Sequence, residues 1–287
     1  MNLIDTHAHL YWESYKEDFD QMIQRTVDNG ISTIINIGVD LTTSQQALDQ
    51  VLNTNWPKDL SVYSSIGIHP HEAITFAENP AEFLQKAMDK LEKIYQGSPQ
   101  KVVGVGECGL DFFFGNNPGF IPPSISIEKV KDLQRQLFQA QIDLAKKLSL
   151  PLVVHCRDDR SKDPQNSEAW DDALKMIGDH PAILHCYSGL SHTTNYVLQT
   201  TNLYVSFAAN ITYLKNDYLR EAAKLLPLNK ILLETDSPFL APQSKRGQRN
   251  EPSSVKEIAT IIANLKGISF KEVASQTTKN AKRIFAF

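Results

Sequence analysis

Histidine and carboxylate side chains occupy positions in this chain where they could bind a metal ion. The chain opens MNLIDTHAHLYW, in which Asp5, His7 and His9 alternate with Thr6 and Ala8. Alternate residues of an extended chain point to the same face. A single histidine in a core is usually hydrogen-bonded to a neighbour, but imidazole is also the commonest metal ligand. The pair His-x-His on one face therefore favours a metal site.

Further histidines and carboxylates follow later β-rich segments of the chain. They are His69, Glu107, His155, His185 and Asp236. The pattern places each of them at the C-terminal end of a predicted strand. In a parallel barrel all such ends ring one mouth, so side chains that are distant in sequence converge there. Hydrogen bonding in a core explains one or two of these residues but not the whole series, which predicts a metal cluster.

The donor set consists of imidazoles and carboxylates without cysteine. Such a set suits zinc, manganese, nickel or iron, with magnesium where carboxylates and phosphate dominate. It is larger than the three protein ligands and one water that a catalytic zinc ion normally takes. We therefore predict two ions, with Glu107 as the carboxylate that they share. Two such ions could activate water for attack on a phosphorus or carbonyl centre.

The three cysteines, Cys108, Cys156 and Cys186, have no CxxC or zinc-finger spacing. Each directly follows one of the candidate ligands. In a strand each thiol would therefore point away from the ligand and pack against a helix. We predict three buried thiols and no disulfide.

Short β-rich runs alternate with amphipathic stretches along the chain, which is typical of parallel strands joined by helices. The strand candidates are LIDTHAH, STIINIG, SVYSSIGIH, KVVGVGEC, LPLVVHC, PAILHCY, NLYVSF and KILLETD. The helix candidates are Tyr15 to Asn29, Thr42 to Asn53, Pro80 to Tyr95, Ile127 to Leu148, Glu168 to Ile177, His192 to Gln199, Asp217 to Leu225, Pro252 to Leu265 and Ser269 to Ile284. This order predicts one α/β domain over residues 1–287, a (β/α)8 TIM barrel with an extra C-terminal helix. An open doubly wound sheet is the alternative.

Two insertions are predicted in the loops at the C-terminal face, near residues 115–126 and 158–167. Loops at that face border the functional site of a barrel, so these insertions could change substrate preference.

The composition is that of a globular protein, with 41% hydrophobic and 22% charged residues among 287. We find no apolar run long enough for a membrane span and no secretory signal, and therefore expect a cytoplasmic protein without an obligate protein partner. The net charge of -4 argues against binding nucleic acid through a broad basic surface. It does not exclude a nuclease whose metal ions meet the phosphate.

Seven short motifs give the chain a family resemblance. They are DTHAHL, GIHPH, GVGECGLDF, PLVVHCR, LHCYSG, ETDSPFLAP and RNEP, in that order. In this order and over nearly the whole chain, they resemble the signature of the TatD-like metal-dependent deoxyribonucleases of the amidohydrolase superfamily. The resemblance implies a hydrolase that removes nucleotides from the 3′ ends of single-stranded DNA, using two divalent ions that are zinc, magnesium or manganese.

The resemblance also implies a role for each candidate residue. One ion would be held by His7, His9, Glu107 and Asp236, and the other by Glu107, His155 and His185. His69 would contact the substrate phosphate or assist in acid-base chemistry. Asp236 would accept a proton from the attacking water.

Other polar residues are candidates for supporting roles. Arg157 and Arg246, the latter in the SKRGQRN loop with Lys245 and Arg249, could place positive charge near a phosphate. A solvated surface loop is an equal interpretation of the SKRGQRN segment. Glu234 shares a strand face with Asp236, and we expect Glu234 and Asp5 to support the ligands through hydrogen bonds. His71 is expected to face a loop.

Aromatic residues could stack with terminal bases of a nucleic acid. The candidates are Phe112, Phe113, Phe114 and Tyr187. For the three phenylalanines, packing within a loop is at least as good an interpretation.

Two other functions use the same residues. The metals could act on an ester or amide, as in the D-aminoacyl-tRNA deacylases that are similar to this family. A metal-containing scaffold without turnover is the other alternative, and the complete ligand set argues against it.

Overall fold

The computed structural model describes residues 2–114 and 125–287, and eight parallel strands form its centre. The strands are β1 Leu3–Ala8, β2 Ile31–Ile37, β3 Ser61–Ile66, β4 Val102–Asp111, β5 Leu152–Arg157, β6 Ala182–Leu184, β7 Leu203–Phe207 and β8 Ile231–Leu233. Each strand pairs with the next along the chain. Where β1 and β8 end, the amide of His9 donates to Ser237 O at 2.8 Å and the amide of Asp236 donates to His7 O at 2.9 Å. These bonds join the two edges of the sheet, which confirms the TIM barrel and excludes the open doubly wound sheet.

The helices lie where the sequence pattern predicts them, with shifted ends. They are α1 Phe19–Asp28, α2 Leu41–Asn53, α3 Pro80–Gly97, α4 Ile127–Leu148, α5 Glu168–Ile177, α6 Ser191–Gln199, α7 Asp217–Leu225, α8 Val255–Lys266 and α9 Phe270–Phe285. The first helix begins at Phe19 and not at Tyr15, because Tyr15 ends a short 3-10 turn and its hydroxyl donates to Asn250 O at 2.7 Å. Within the described ranges, no helix combines the length and apolarity needed to cross a bilayer.

The predicted extra C-terminal helix, α9, crosses the N-terminal end of the barrel. Asn280 donates to the carbonyls of Leu228 and Ile231 at 2.8 Å each, and Thr278 donates to Asn2 O at 2.6 Å. Phe285 of this helix packs in one buried cluster with side chains from the strands. Those side chains are Ile4, Ile35, Ile37, Val103, Val153, Ile183, Tyr204 and Leu232. The barrel interior is therefore filled with apolar groups and closed at this end.

A cluster of ion pairs ties α1 to the segment before α8. Asp18 accepts hydrogen bonds from Arg25 Nη2 and Arg249 Nη1, both at 2.7 Å, and Glu251 accepts from Arg25 Nη2 at 2.7 Å. Hydrogen bonds from Arg249 and Arg25 lower the pKa of Asp18 well below its ordinary value. Burial opposes ionisation of Glu251, but the two arginines outweigh it and lower its pKa as well.

We expect this cluster to stabilise the fold at neutral pH and to lose that effect in acid. Because the carboxyl pKa values are lower in the folded chain, the stabilisation is complete above the unfolded pKa of about 4 and is lost as the pH falls below it. Asp18→Asn should lower the Tm by roughly 1 to 4 °C at pH 7. In thermal melts from pH 7 to pH 3, the difference from wild type should shrink. A constant difference would contradict this assignment.

Candidate metal centre

A cavity of about 780 Å³ opens at the C-terminal ends of the strands. Six of the predicted ligand and catalytic residues line it: His9, His69, Glu107, His155, His185 and Asp236. His7 lies fully buried behind this lining, with Nε2 3.4 Å from Glu107 Oε2. The barrel therefore brings together residues that span most of the chain.

Glu107 lies at the centre of the cluster. Its Oε1 is 3.0 Å from His155 Nδ1, 3.1 Å from His185 Nε2 and 3.6 Å from His69 Nε2. Burial opposes ionisation of this carboxyl group, but the charges of the surrounding histidines and the hydrogen bonds from His155 and His185 lower its pKa well below the ordinary value. Glu107 is thus an ionised carboxylate that faces imidazoles with both oxygens, as a shared metal ligand would.

Asp236 forms the second acidic position. Its Oδ1 lies 3.4 Å from His9 Nε2 and 3.7 Å from His7 Nε2. Donor atoms within 4.8 Å of one another form three overlapping groups. The groups are His7 with His185 and Asp236, His7 with His9 and Glu107, and His69 with Glu107 and His155.

Both ring nitrogens of His7 are buried without a hydrogen-bond partner. Burial, followed by the charge of His185, lowers the pKa of His7, so its imidazole is neutral and offers a lone pair. The 3.4 Å separation of His7 Nε2 from Glu107 Oε2 exceeds a hydrogen bond of at most about 3.2 Å. Two ligands of one tetrahedral zinc ion lie roughly 3.3 Å apart. These donors therefore fit a divalent metal ion better than they fit one another.

In two of the histidines, the ring nitrogen that faces away from the cluster contacts an oxygen atom, as is usual for metal-binding histidines. Nδ1 of His9 lies 3.0 Å from Ile37 O, so a proton on Nδ1 leaves the lone pair of Nε2 directed at the cluster. Nδ1 of His185 lies 3.0 Å from Glu234 Oε1. Burial opposes protonation of this ring, but the charges of Glu234 and Glu107 outweigh it and raise the pKa of His185, so a metal ion bound at Nε2 would displace the proton that this atom donates to Glu107. The carboxylate of Glu234 therefore contacts the ring of a candidate ligand.

Replacing Glu234 by glutamine should weaken metal binding without removing a ligand. Glutamine keeps an acceptor for the His185 ring and for the amide of Cys186, which donates to Glu234 Oε1 at 2.5 Å, but it removes the negative charge. We expect the apparent metal Kd to rise about 10- to 100-fold, measured by competition with a chelator. An unchanged Kd would show that the charge of Glu234 does not contribute to metal binding.

Asp5 supports the site from a different direction. Its side chain is fully buried and accepts hydrogen bonds from the Thr235 amide at 2.9 Å and the Thr235 hydroxyl at 2.6 Å. Burial raises the pKa of this carboxyl group well above its ordinary value. Asp5 does not line the cavity with His9, so the alternating residues Asp5, His7 and His9 do not share one role. Asp5 holds Thr235, the residue directly before Asp236, through these two hydrogen bonds.

The prediction that Glu107 ends its strand was wrong. The strand β4 continues to Asp111, and Glu107 lies within it, beside a register shift between Val105 and Cys108. Two glycines let β4 approach β5 this closely. A Cβ on Gly106 (φ 151°) would lie 2.3 Å from Val153 O, and one on Gly109 (φ 132°) would lie 2.0 Å from His155 O. Because neither glycine has a side chain, β4 can lie close enough to β5 for Glu107 to contact His155.

Asp111 is a site residue that the sequence reasoning missed. Its Oδ2 lies 3.0 Å from His155 Nε2 and 3.1 Å from His71 Nε2, and all three residues line the cavity. The prediction that His71 faces a loop did not include its contact with Asp111 at the cavity. The signal was present, since Glu107, Gly109 and Asp111 alternate in an extended segment and share a face.

His155 lies between two carboxylates. Burial opposes its protonation, but hydrogen bonds to Asp111 and Glu107 outweigh it and raise its pKa to about 9. A metal ligand must be deprotonated, so binding through this ring releases a proton. Asp111 thereby fixes the orientation of the ring and holds its second nitrogen.

Of the predicted basic residues, only Arg157 lines the cavity. Its guanidinium lies 3.9 Å from the centre of the Phe113 ring. Neither Lys245 nor Arg246 belongs to the lining, and Arg246 stacks on Tyr213 instead. Arg249 is held by Asp18 and Glu251. The predicted patch of positive charge is thus reduced to one arginine at the cavity.

Two predictions about side-chain exposure need correction. Tyr187 is fully buried and its hydroxyl lies 2.8 Å from Thr194 Oγ1, so it cannot stack with a base. Phe112 is also buried. Cys186 follows β6 with φ 42° and lines the cavity, so it is not buried helix-facing filler like Cys108.

Two insertions were predicted in the loops at the C-terminal face, near residues 115–126 and 158–167. The insertion near residues 115–126 lies outside the described residues, except for its last two positions. The insertion near residues 158–167 does not line the cavity. It is held by Asp158, which accepts from the Ala169 amide at 2.7 Å, and by Arg160, which donates to Ser188 O at 2.9 Å. The loop therefore contacts the lining residue Ser188 without contributing a side chain to the lining itself.

The chain is similar to known proteins over nearly its whole length. The family described as TatD related DNase matches residues 4–286. An uncharacterized metal-dependent hydrolase of Bacillus subtilis, YabD, is 33% identical over 288 residues, which cover 99% of this chain and 98% of that protein. A protein of Erwinia tasmaniensis named 3'-5' ssDNA/RNA exonuclease TatD is 32% identical, with 99% of each chain covered.

A solved structure supports the fold. The crystal structure of YjjV, a TatD homologue from Escherichia coli, superposes with a TM-score of 0.79 at 24% identity, covering 99% of this chain and 98% of that one. The family match spans nearly the whole length, and the relatives are of similar size. The chain therefore belongs to the TatD-related DNase family of metal-dependent hydrolases.

Proposed function

We propose that the protein is a nuclease that removes nucleotides from the 3′ ends of single-stranded DNA with two divalent metal ions. The observation that carries this proposal is the shared position of Glu107 between two sets of imidazoles. Family membership and the exonuclease names of relatives such as the Erwinia protein support it. Zinc, magnesium and manganese are all compatible with these ligands.

The two sets of residues would hold different metal ions. His7, His9 and Asp236 would hold one ion, His155 and His185 the other, and Glu107 both. Ions bound there would polarise the scissile phosphate and make a water molecule more acidic. The Asp236 side chain is 16% exposed in the cavity, and its pKa is lowered because the histidines, above all His9, outweigh burial. This carboxylate is therefore ionised and reachable from the cavity, as an acceptor of the proton of the attacking water must be.

His69 is better placed to bind substrate than to bind metal. Its Nδ1 accepts the amide of His71 at 3.2 Å, so the proton of the neutral ring is on Nε2. Burial, followed by the charge of His155, lowers its pKa well below the ordinary value and keeps the ring neutral. Nε2 can thus donate a hydrogen bond to a phosphate oxygen. Arg157, fixed on Phe113 at the cavity, supplies a positive charge for the same phosphate.

The test is release of mononucleotides from 3′-labelled and 5′-labelled single-stranded DNA. Stripped protein receives magnesium, manganese or zinc, and RNA of the same sequence is run beside the DNA. We expect metal-dependent release that begins at the 3′ label. Folded, metal-loaded protein that releases nothing from DNA but hydrolyses a D-aminoacyl-tRNA would instead favour the deacylase alternative.

A further inference from the structure

Two exposed aromatic side chains meet at the cavity from opposite ends of the chain. Trp12 follows β1 and Phe239 follows β8, and they are 39% and 43% exposed. Their ring centres are 5.1 Å apart with the planes at 76°, an edge-to-face contact. Both line the cavity. Large apolar groups that stay exposed in a pocket indicate a ligand surface more than a core.

This aromatic pair lies directly beside the metal centre. The His9 ring centre is 5.8 Å from that of Phe239 and 6.3 Å from that of Trp12. His9 in turn directs Nε2 at Asp236. A group that stacks on the pair is therefore adjacent to a phosphate held by this centre. An edge-to-face contact uses only one of the four ring faces, which leaves aromatic surface for a ligand.

Three other aromatic residues that the sequence singled out do not offer such a surface. Phe113 is covered on one face by the Arg157 guanidinium. Phe112 and Tyr187 are buried, as described above. Trp12 and Phe239 thus combine exposure, position in the cavity and contact with a candidate ligand.

We propose that Trp12 and Phe239 form a stacking platform for the unpaired terminal nucleobase of the substrate. The proposal rests on the nuclease function proposed above and names its ligand as a single-stranded nucleic acid end. Every base has a flat π-face, so stacking tolerates different sequences. A base inside a duplex already stacks on its neighbours and is paired, so the platform selects frayed or single-stranded ends. Specificity for single strands then resides in these two rings.

The kinetic test compares two oligonucleotides that differ only at the 3′ end. One ends in deoxyadenosine and the other in an abasic tetrahydrofuran nucleotide. For Trp12→Ala we expect the KM of the first to rise roughly 5- to 100-fold, with kcat changed less than about threefold. The KM of the abasic substrate should not change. Trp12→Phe keeps a ring and should retain most of the affinity, and Phe239→Leu should resemble Trp12→Ala in a weaker form. An equal effect on both substrates, or no effect, would overturn the platform and leave the nuclease proposal intact.

A binding test does not depend on turnover. The chain has three tryptophans, and neither of the other two lines the cavity: Trp170 is fully buried, and Trp56 is partly buried, packs on Phe19 and donates to Val51 O. Adding an uncleavable phosphorothioate oligonucleotide to magnesium-loaded wild-type protein should quench Trp12 emission, and Trp12→Phe should abolish the quench. Quenching without hydrolysis would support the platform and refute the nuclease. Hydrolysis without quenching would refute the platform alone, and the absence of both would refute both.

Discussion

Glu107→Gln is expected to abolish metal-dependent hydrolysis and to release both metal ions. The substitution keeps the size of the side chain but replaces the ionised carboxylate that faces His7, His69, His155 and His185. Charge stabilisation by metal ions is worth several kcal/mol in a transition state, so kcat should fall at least about 1,000-fold. Activity is followed by nucleotide release, and metal content by elemental analysis of dialysed protein.

Glu72→Gln is the matched control for this variant. Glu72 also lines the cavity but belongs to none of the donor groups. The control should keep both ions and most of its activity, and far-UV circular dichroism should show that both variants are folded. More than a tenth of wild-type activity in Glu107→Gln would contradict the central position given to Glu107. So would full loss of activity with both ions retained.

Asp236→Asn should remove one ion and leave the other. Asp236 approaches His7 and His9, whereas Glu107 serves both sets. The residue has φ 55°, a backbone region that asparagine adopts readily, so the fold should persist. We expect kcat to fall about 100- to 1,000-fold and metal content to fall from two ions to one.

The ion count distinguishes Asp236→Asn from Glu107→Gln. If the Asp236 variant lost both ions, the division of ligands into two sets would be wrong. If it lost neither ion but lost activity, Asp236 would act on the proton alone. Measuring the two variants in one dialysis series removes differences in metal contamination.

The barrel and the convergence of the candidate metal ligands could be predicted because both depend on local pattern. Alternation of strand and helix is visible in any window of the sequence, and in a parallel barrel the chain order of strands determines where their ends lie. His7, Glu107 and Asp236 were therefore assignable to one cluster without knowledge of distances.

The features that escaped prediction depend on contacts between distant segments. The pairing of Trp12 with Phe239 exists only because β1 and β8 meet when the barrel closes. Arg249 is neutralised by Asp18, which belongs to the opposite end of the chain. The extension of β4 to Asp111 depends on the close approach of β5 that Gly106 and Gly109 allow. The sequence around these two glycines does not indicate that role.

For the proposed nuclease, the position of α9 has a consequence for how a polymer is digested. Phe285 and its neighbours block the end of the barrel opposite the cavity, so the barrel is a blind pocket and not a tunnel. A strand cannot thread through it, and the shortened strand and the freed nucleotide share one opening. The nucleotide must leave before the strand can advance. This geometry favours an enzyme that removes few nucleotides in each encounter and trims ends in preference to degrading long strands.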